Sequence, residues 1–113
     1  MDLAELATLH CESRKGLEHA LDTSRVLELL ALLPEWQAGN DGKSINKTFK
    51  FSNFYQTLCF VNAIGWMANM QDHHPDLEVG YSRCVVHWST HDVGGLSVND
   101  FICAARVEAI AHS

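Results

Sequence analysis

The chain has 113 residues with a formal net charge of −6, and 47% of its residues are hydrophobic. These values predict one globular domain over residues 1–113. They argue against a nucleic-acid or anionic membrane partner, because either would call for a basic face. No apolar stretch is long enough to cross a bilayer and no secretory signal follows Met1, so the sequence predicts a cytoplasmic protein.

The first half of the chain predicts a helix and a β-hairpin. Residues 1–20 are weakly patterned and are interpreted as a short helical turn plus a surface arm. The stretch DTSRVLELLALLPEW then predicts a helix that is capped by Thr23 or Ser24 and stopped by Pro34. Its apolar face is expected to contain Val26, Leu27, Leu30 and Leu33. The following EWQAGNDGKSINKTFKF predicts a hairpin turning at Asp41-Gly42.

A long apolar helix is predicted to follow, starting after Ser52 or Asn53 and running to about Gln71. Its apolar residues form two neighbouring stripes, which together are wider than one buried face needs. The stripe interpreted as core contains Phe54, Leu58, Val61, Gly65 and Ala68. The stripe beside it contains Tyr55, Cys59, Asn62 and Trp66.

The last third predicts a second hairpin and a closing helix. Alternation of Leu77, Val79 and Tyr81, and then of Cys84, Val86 and Trp88, predicts two strands with a turn at residues 80–83. Ser97 is the expected N-cap of the final helix, with Asp100 at its third position. Its inward residues are expected to be Phe101, Ala104, Ala105 and Ile110. The fold class predicted is α+β, a four-stranded antiparallel sheet with three α-helices packed on one face.

The cysteines show no motif for metal binding or for redox pairing. Cys11, Cys59, Cys84 and Cys103 include no CxxC pair, so they are predicted to be free thiols in a reducing compartment.

The register of the second hairpin predicts where a histidine-rich segment lies, DHHP at residues 72–75. Antiparallel pairing around the predicted turn sets His73 near Thr90 and Asp72 near His91. The segments DHHP and STHD are therefore predicted to meet at one end of the sheet. This would bring together the imidazoles of His73, His74 and His91.

Two interpretations of this cluster remain open, a polar turn that happens to be rich in histidine and a functional site. Three imidazoles at one place, with Pro75 restricting the backbone and Gly94-Gly95 permitting close approach, favour a site. His87 alternates away from Val86 and Trp88 and is expected to face outward. The histidines near the chain ends, His10, His19 and His112, are expected to be solvated.

The chemistry of such a site is also open. Three imidazoles could bind zinc, but adjacent ligands on an extended segment tend to point apart, and no HxH or HxxxH spacing is present. Acid/base catalysis suits the set better, because imidazole titrates near neutral pH. The hypothesis of nucleophilic catalysis by Ser89 has the least support, because no nucleophile elbow surrounds this residue.

The segments DHHP, STHD and GGLSVNDFICAAR resemble the pterin-4a-carbinolamine dehydratase family, in its bacterial branch. The resemblance covers nearly the whole chain and includes CESR, LPEW and FKFSNFYQTLCFVNAIG. It implies a four-stranded sheet backed by three helices. It also implies a lyase that removes water from 4a-hydroxytetrahydrobiopterin to give quinonoid dihydropterin, in tetrahydropterin recycling for an aromatic amino-acid hydroxylase such as phenylalanine hydroxylase. The resemblance implies no metal and no organic cofactor.

Site residues follow from the resemblance position by position. The implied catalytic residues are His73, His74 and His91. The implied substrate contacts are Asp72, His73, His74, Pro75, Ser89, Thr90, His91, Asp92 and Asp100. Which imidazole is the acid and which the base stays open, as does the role of Asp100 in the site or as a helix cap. Asn99 stands where some family members carry an arginine.

The same family includes protein-binding and assembly factors, so a protein-binding role with little pterin turnover is the alternative function. The intact histidines favour an enzyme.

A homodimer or homotetramer is expected, because the two-striped helix and the unpaired edge strands offer surfaces for a symmetric partner.

Overall fold

The computed structural model describes residues 1–112 and confirms the predicted α+β class. Its α-helices are α1 (Leu3–Leu6), α2 (Thr23–Leu30), α3 (Phe54–Gln71) and α4 (Val98–Ala111). Its strands are β1 (Gln37–Ala38), β2 (Ile45–Lys50), β3 (Asp76–Val79) and β4 (Arg83–Trp88). Two single 3₁₀ turns lie at Leu17–His19 and His91–Val93.

The sheet is antiparallel throughout, with strand order β1-β2-β4-β3. In the second hairpin Asp76 pairs with His87 and Val79 with Cys84, which confirms the predicted register. The ladder stops at Asp76, so the predicted extension of pairing to residues 72 and 73 is wrong. Pro75, which has no N–H to donate, and the end of α3 account for this limit.

One face of the sheet is buried under the helices, and it includes Ile45, Phe49, Cys84, Val86 and Trp88. Lys47 also points to this side and is buried. Its ammonium pairs with the carboxylate of Glu108 on α4, and that carboxylate accepts a hydrogen bond of 2.9 Å from the Trp36 indole. The charge of Lys47 is thus matched where the sheet meets the last helix.

The predicted cap and apolar face of α2 need correction. Asp22 caps the helix, its carboxylate accepting a hydrogen bond of 2.8 Å from the Arg25 N–H, and neither Thr23 nor Ser24 does so. Leu29 is buried, whereas Leu27 is 62% exposed. The helix also ends at Leu30, one turn before Pro34. An aspartate one residue earlier can reach the free N–H groups as well as Thr23 can, so the sequence alone did not distinguish them.

The predicted core stripe of α3 is wrong at most positions, because the helix is rotated relative to that expectation, and of its five residues only Ala68 is buried. Its buried residues are Thr57, Phe60, Ile64, Met67, Ala68 and Gln71. Of the predicted stripe, Phe54 and Leu58 are exposed, as are Tyr55 and Trp66 of the neighbouring stripe. Apolar residues surround most of this helix, so periodicity did not identify the face that packs.

The N-terminal arm is bound to the core more closely than predicted. Leu6 of α1 is fully buried, and the Arg106 guanidinium donates hydrogen bonds of 2.6 and 3.0 Å to the Leu9 carbonyl. The Asn99 side-chain amide donates to the Glu12 carbonyl at 2.7 Å and accepts from the Glu12 N–H at 3.2 Å. Two side chains of α4 therefore hold this arm by its backbone.

Helix α4 is the central element of the core. Ser97 caps it and Asp100 completes a capping box, as predicted. Most of its residues from Asn99 to Glu108 are buried, including the predicted Phe101, Ala104 and Ala105. No helix within residues 1–112 is long and apolar enough to cross a membrane.

Candidate active site

The end of α3 determines where the first predicted catalytic histidine lies. Asp72 adopts a left-handed conformation with φ 51° and ψ 42°, and its N–H bonds to the Asn69 carbonyl. Aspartate tolerates this conformation better than most residues other than glycine. The chain reverses here, and the His73 N–H bonds back to the Ala68 carbonyl at 3.2 Å.

The His73 ring lies between β4 and the start of α4. It stacks on Trp88 with ring centroids 5.5 Å apart and an interplanar angle of 10°. Its Nε2 lies 2.6 Å from Oδ1 of Asp100, and the His73 side chain is only 12% exposed. The ring is therefore fixed in orientation by one aromatic face and one carboxylate.

Asp100 is fully buried and serves both of the roles that the sequence left open. Its Oδ2 accepts hydrogen bonds from the Ser97 N–H at 3.0 Å, which caps α4, and from the Thr90 hydroxyl at 2.7 Å. The Thr90 proton is used in that bond, so the Ser97 hydroxyl is the donor in its own 2.7 Å contact with Thr90. The carboxylate thus joins His73 to the start of α4 and to the end of β4.

The environment of His73 changes its pKa in two opposing ways. Burial of the ring lowers the pKa because it disfavours the charged form. The hydrogen bond to Asp100, together with the charges of Asp100, Cys11 and Asp72, outweighs burial and raises the pKa above 6.5. This environment shifts His73 toward its imidazolium form, in which Nε2 donates to Asp100.

His91 lies at the start of a tight loop that Thr90 and Gly95 close through an isolated bridge. Gly94 has φ 74°, a conformation that side chains rarely adopt, and its N–H bonds to the His91 carbonyl. The His91 side chain is exposed. The loop thus holds His91 at the surface while its neighbour Thr90 reaches the buried Asp100.

A cleft of about 290 Å³ lies in front of this loop and was not predicted. One wall is the predicted segment, with Ser89, Thr90 and His91, and the other is the turn of the first hairpin. The hairpin wall contains Asp41, Lys43 and Ser44. A polar turn between two short strands carried no sign in the sequence that it would face the histidine loop.

The remaining predicted site residues lie at the surface around these groups. His74, Asp72 and Asp92 are exposed and Pro75 is half-buried. The structure thus joins His73, Thr90 and Asp100 by hydrogen bonds and places His91 with Ser89 on the cleft. Convergence of all three imidazoles stays a prediction.

Two further expectations concern metal ions and His87. Within residues 1–112 no group of three or more His, Cys, Asp or Glu side chains is arranged to hold a metal ion. His87 faces away from the buried Val86 and Trp88, as predicted, and pairs with Glu78 across the β3–β4 ladder.

Comparison with known sequences identifies one family along most of the chain. The family described as Pterin 4 alpha carbinolamine dehydratase matches residues 19–110. A protein of Xanthomonas campestris pv. campestris (strain 8004), provisionally named a pterin-4-alpha-carbinolamine dehydratase, is 55% identical over 106 residues, 94% of this chain and 90% of that one. A protein of the same provisional name from Stenotrophomonas maltophilia (strain K279a) is 51% identical over 111 residues, covering 98% and 96%.

Solved structures show the same architecture. A transcriptional coactivator/pterin dehydratase from Brucella melitensis superimposes with a TM-score of 0.78 at 32% identity, covering 81% of this chain and 98% of that one. A pterin dehydratase-like protein, identified as a RuBisCO assembly factor in the α-carboxysome, has a TM-score of 0.60 at 24% identity. It covers 70% of this chain and 92% of its own, and it shows a shared fold alone.

Proposed function

The chain belongs to the pterin-4-alpha-carbinolamine dehydratase family, and on that basis we propose that it is an active lyase, a 4a-hydroxytetrahydrobiopterin dehydratase. The observation that carries the proposal is the buried Asp100, which bonds to both His73 and Thr90, and Thr90 lines the same cleft as His91. A purely structural cap would need the bond to Ser97 and no ordered imidazole.

The proposed reaction needs only proton transfers. A proton reaches the hydroxyl on C4a, the C4a–O bond breaks, and water leaves. A proton is lost from N5 as the C4a–N5 double bond of quinonoid dihydropterin forms. Imidazoles suit both steps, because they exchange protons near neutral pH.

We assign proton exchange to His74 and His91, because both are exposed and so can reach a bound pterin. His73 is enclosed by Trp88 and Asp100, and in this proposal its free ring edge helps to hold the pterin. Asp100 acts through His73 and is a positioning residue. The segments 72–75 and 89–92 supply the remaining contacts with the substrate, as the family resemblance implies.

We also propose a functional partner and an oligomeric state. The substrate of this reaction is the 4a-hydroxy adduct that an aromatic amino-acid hydroxylase forms from its pterin cofactor, so the functional partner we propose is such a hydroxylase in the cytoplasm. The protein is proposed to act as a homodimer or homotetramer, since α3 exposes Tyr55, Trp66 and Met70 on its outer side.

Stopped-flow kinetics test the activity directly. A hydroxylase generates 4a-hydroxytetrahydrobiopterin immediately before mixing, and the appearance of quinonoid dihydropterin is followed with and without the protein. We expect the wild-type chain to accelerate dehydration and the double variant His74→Ala/His91→Ala to lose nearly all of that acceleration. A wild-type protein no faster than buffer would refute the proposal.

The second candidate function is protein binding with little pterin turnover. It is favoured by the structural relatives described as a transcriptional coactivator and as an assembly factor, and by the exposed aromatic side of α3. Capture of a partner protein that persists in the His74→Ala/His91→Ala variant would support this role. If turnover by a hydroxylase depends on the intact His74 and His91 of this protein, the enzymatic role would be supported.

A further inference from the structure

Two cysteines that are far apart in sequence lie in contact. The Sγ atoms of Cys11 and Cys103 are 3.4 Å apart across a separation of 92 residues. A disulfide bond is about 2.05 Å long, so an approach of little more than 1 Å would join them. Neither residue belongs to the proposed pterin site, and the sequence carried no sign of the pairing.

The arm that carries Cys11 is held in place on both sides of the sulfur. The Cys11 N–H donates a hydrogen bond of 2.8 Å to the Gln71 side chain at the end of α3. The next residue, Glu12, exchanges two backbone hydrogen bonds with the Asn99 side chain on α4. Cys103 lies one turn farther along the same helix. The backbone near both sulfurs is thus held in place while the two thiols are still reduced.

The two thiols differ in access and in acidity. Cys11 is partly exposed, whereas Cys103 is fully buried. A hydrogen bond from the Cys103 thiol lowers the pKa of Cys11, against the effect of burial, and the nearby His73 charge lowers it further. The same hydrogen bond and burial raise the pKa of Cys103. Cys11 is therefore the thiol that an oxidant can reach first, and Cys103, in contact with it, is the thiol placed to attack the resulting mixed disulfide.

We propose that Cys11 and Cys103 form a reversible disulfide by exchange with a small-molecule disulfide such as oxidised glutathione. The Cys11 thiolate attacks one sulfur of the oxidant, whose S–S bond breaks and releases one thiol. Cys103 then gives up its proton and attacks the Cys11 sulfur, which releases the second thiol. Two electrons pass from the protein pair to the oxidant, and the two protons end on the released thiols.

The bond would link the N-terminal arm covalently to α4, one turn after Asp100. Because it connects residues on two separate elements, oxidation should make the arm and α4 separate less readily. This inference concerns cysteines outside the pterin site and stands whether or not the protein is a dehydratase.

The test uses the full-length folded protein in glutathione buffers of increasing oxidised fraction. Reactions are quenched with an alkylating reagent, and peptides are mapped by mass spectrometry without reduction. We expect a Cys11–Cys103 cross-linked peptide, the loss of both of these thiols to alkylation and no glutathione retained on either of them. Dithiothreitol should restore both thiols. The oxidised form should also unfold at a higher temperature than the reduced form.

Matched variants separate the roles of the sulfurs. Cys103→Ser should stop at a glutathione adduct on Cys11, whereas Cys11→Ser should leave Cys103 unmodified while the protein is folded. Cys59→Ser removes an exposed cysteine outside the pair and should leave the cross-link unchanged. Wild-type protein that keeps four alkylated thiols, or that ends as a stable Cys11 adduct, would overturn the proposal even if a variant failed to fold.

Discussion

At the scale of single residues, the histidines of this chain occupy different environments although two of them are adjacent. His73 is enclosed and bonded to a buried carboxylate, while His74 and His91 are exposed. An enclosed ring keeps its orientation but exchanges protons slowly with solvent. An exposed ring can meet a substrate directly. This contrast underlies the different effects expected for each replacement.

Replacing either exposed histidine should reduce turnover strongly. His74→Ala and His91→Ala are each expected to lower turnover by about 10²- to 10⁴-fold, the usual contribution of a positioned acid or base. The double variant should lose less than the product of the single losses, because groups that act together are not additive. Stopped-flow kinetics measures all three.

His87→Ala is the matched control, because His87 lies on β4 but faces the other side of the sheet. It should leave turnover almost unchanged. A loss as large as that of His91→Ala would contradict the site.

His73→Ala should weaken substrate binding more than turnover, and a pure loss of turnover in this variant would argue against its proposed role.

The raised pKa of His73 predicts a specific pH dependence of stability. A group whose pKa is higher in the folded state stabilises the fold fully below its unfolded pKa, here 6.5, and loses that effect as pH rises through the folded pKa. The unfolding free energy of wild type minus that of His73→Gln should therefore fall above pH 6.5. Its slope should not exceed about 1.4 kcal/mol per pH unit. Urea titrations from pH 5 to 9 measure it, and a difference that rises with pH would refute the prediction.

Asp100→Asn gives a second check on the same pair. The amide keeps the shape of the side chain but loses the charge, so burial should dominate and the pKa of His73 should fall. NMR titration of the imidazole resonances measures this change directly. If the pKa of His73 is the same in both proteins, the carboxylate is not its main source of stabilisation.

At the scale of elements, the loop that follows β4 depends on a left-handed glycine. Gly94 has φ 74°, and a Cβ there would make only an ordinary contact with Leu17, so conformational strain is the main cost of a side chain. We expect Gly94→Ala to destabilise the protein by about 1–2 kcal/mol and to lower activity by displacing His91. Chemical denaturation measures the first effect and turnover the second.

Gly95→Ala is the control for this loop, because Gly95 lacks a positive φ and a Cβ there would meet open space. It should be neutral or stabilising by up to about 1 kcal/mol. Equal destabilisation by both substitutions would show that the loop tolerates no side chain at all, and the conformational explanation would fail.

Elements with strong local signals were predictable from the sequence, and those set by packing were not. Alternating residues and a short turn determined the β3–β4 register, and Ser97 with Asp100 marked the start of α4. The buried face of α3 was missed, because a helix that is apolar on most sides can pack in several rotations.

The site was also predictable only in part, because its contacts depend on packing and on backbone conformation. The sequence indicated the two histidine segments, but the contact between His73 and Asp100 depends on the left-handed turn at Asp72. No spacing rule specifies such a turn at an aspartate. The cleft wall from the first hairpin depends on how two loops approach one another in three dimensions.

At the scale of the whole molecule, the largest exposed aromatic residues lie together along the outer side of α3 and at the β3–β4 turn. Tyr55 and Trp66 are more than 70% exposed, and Phe54 stacks on Tyr81 with centroids 6.3 Å apart. Exposed patches of this kind usually mark an interface. A second copy of the chain is the partner expected here, because one helix side can pair with itself around a two-fold axis.

The oligomer prediction is tested by a charge placed on this surface. Wild type should sediment as a dimer or tetramer at micromolar concentration, and Trp66→Lys should shift it toward a monomer of 12.6 kDa. Leu27→Lys is the control, since Leu27 is comparably exposed but lies on α2. A wild-type monomer, or equal dissociation by both variants, would contradict the prediction.

The attachment of the N-terminal arm to α4 also bears on the order in which the protein folds. Leu9 and Glu12 find their partners at Arg106 and Asn99, which are 97 and 87 residues away along the chain. The N-terminal arm therefore cannot dock until α4 has been synthesised. Until then Leu6 lacks the helix that buries it, and the sheet lacks the layer that covers Trp88. The nascent chain can complete this core only after α4 has been made.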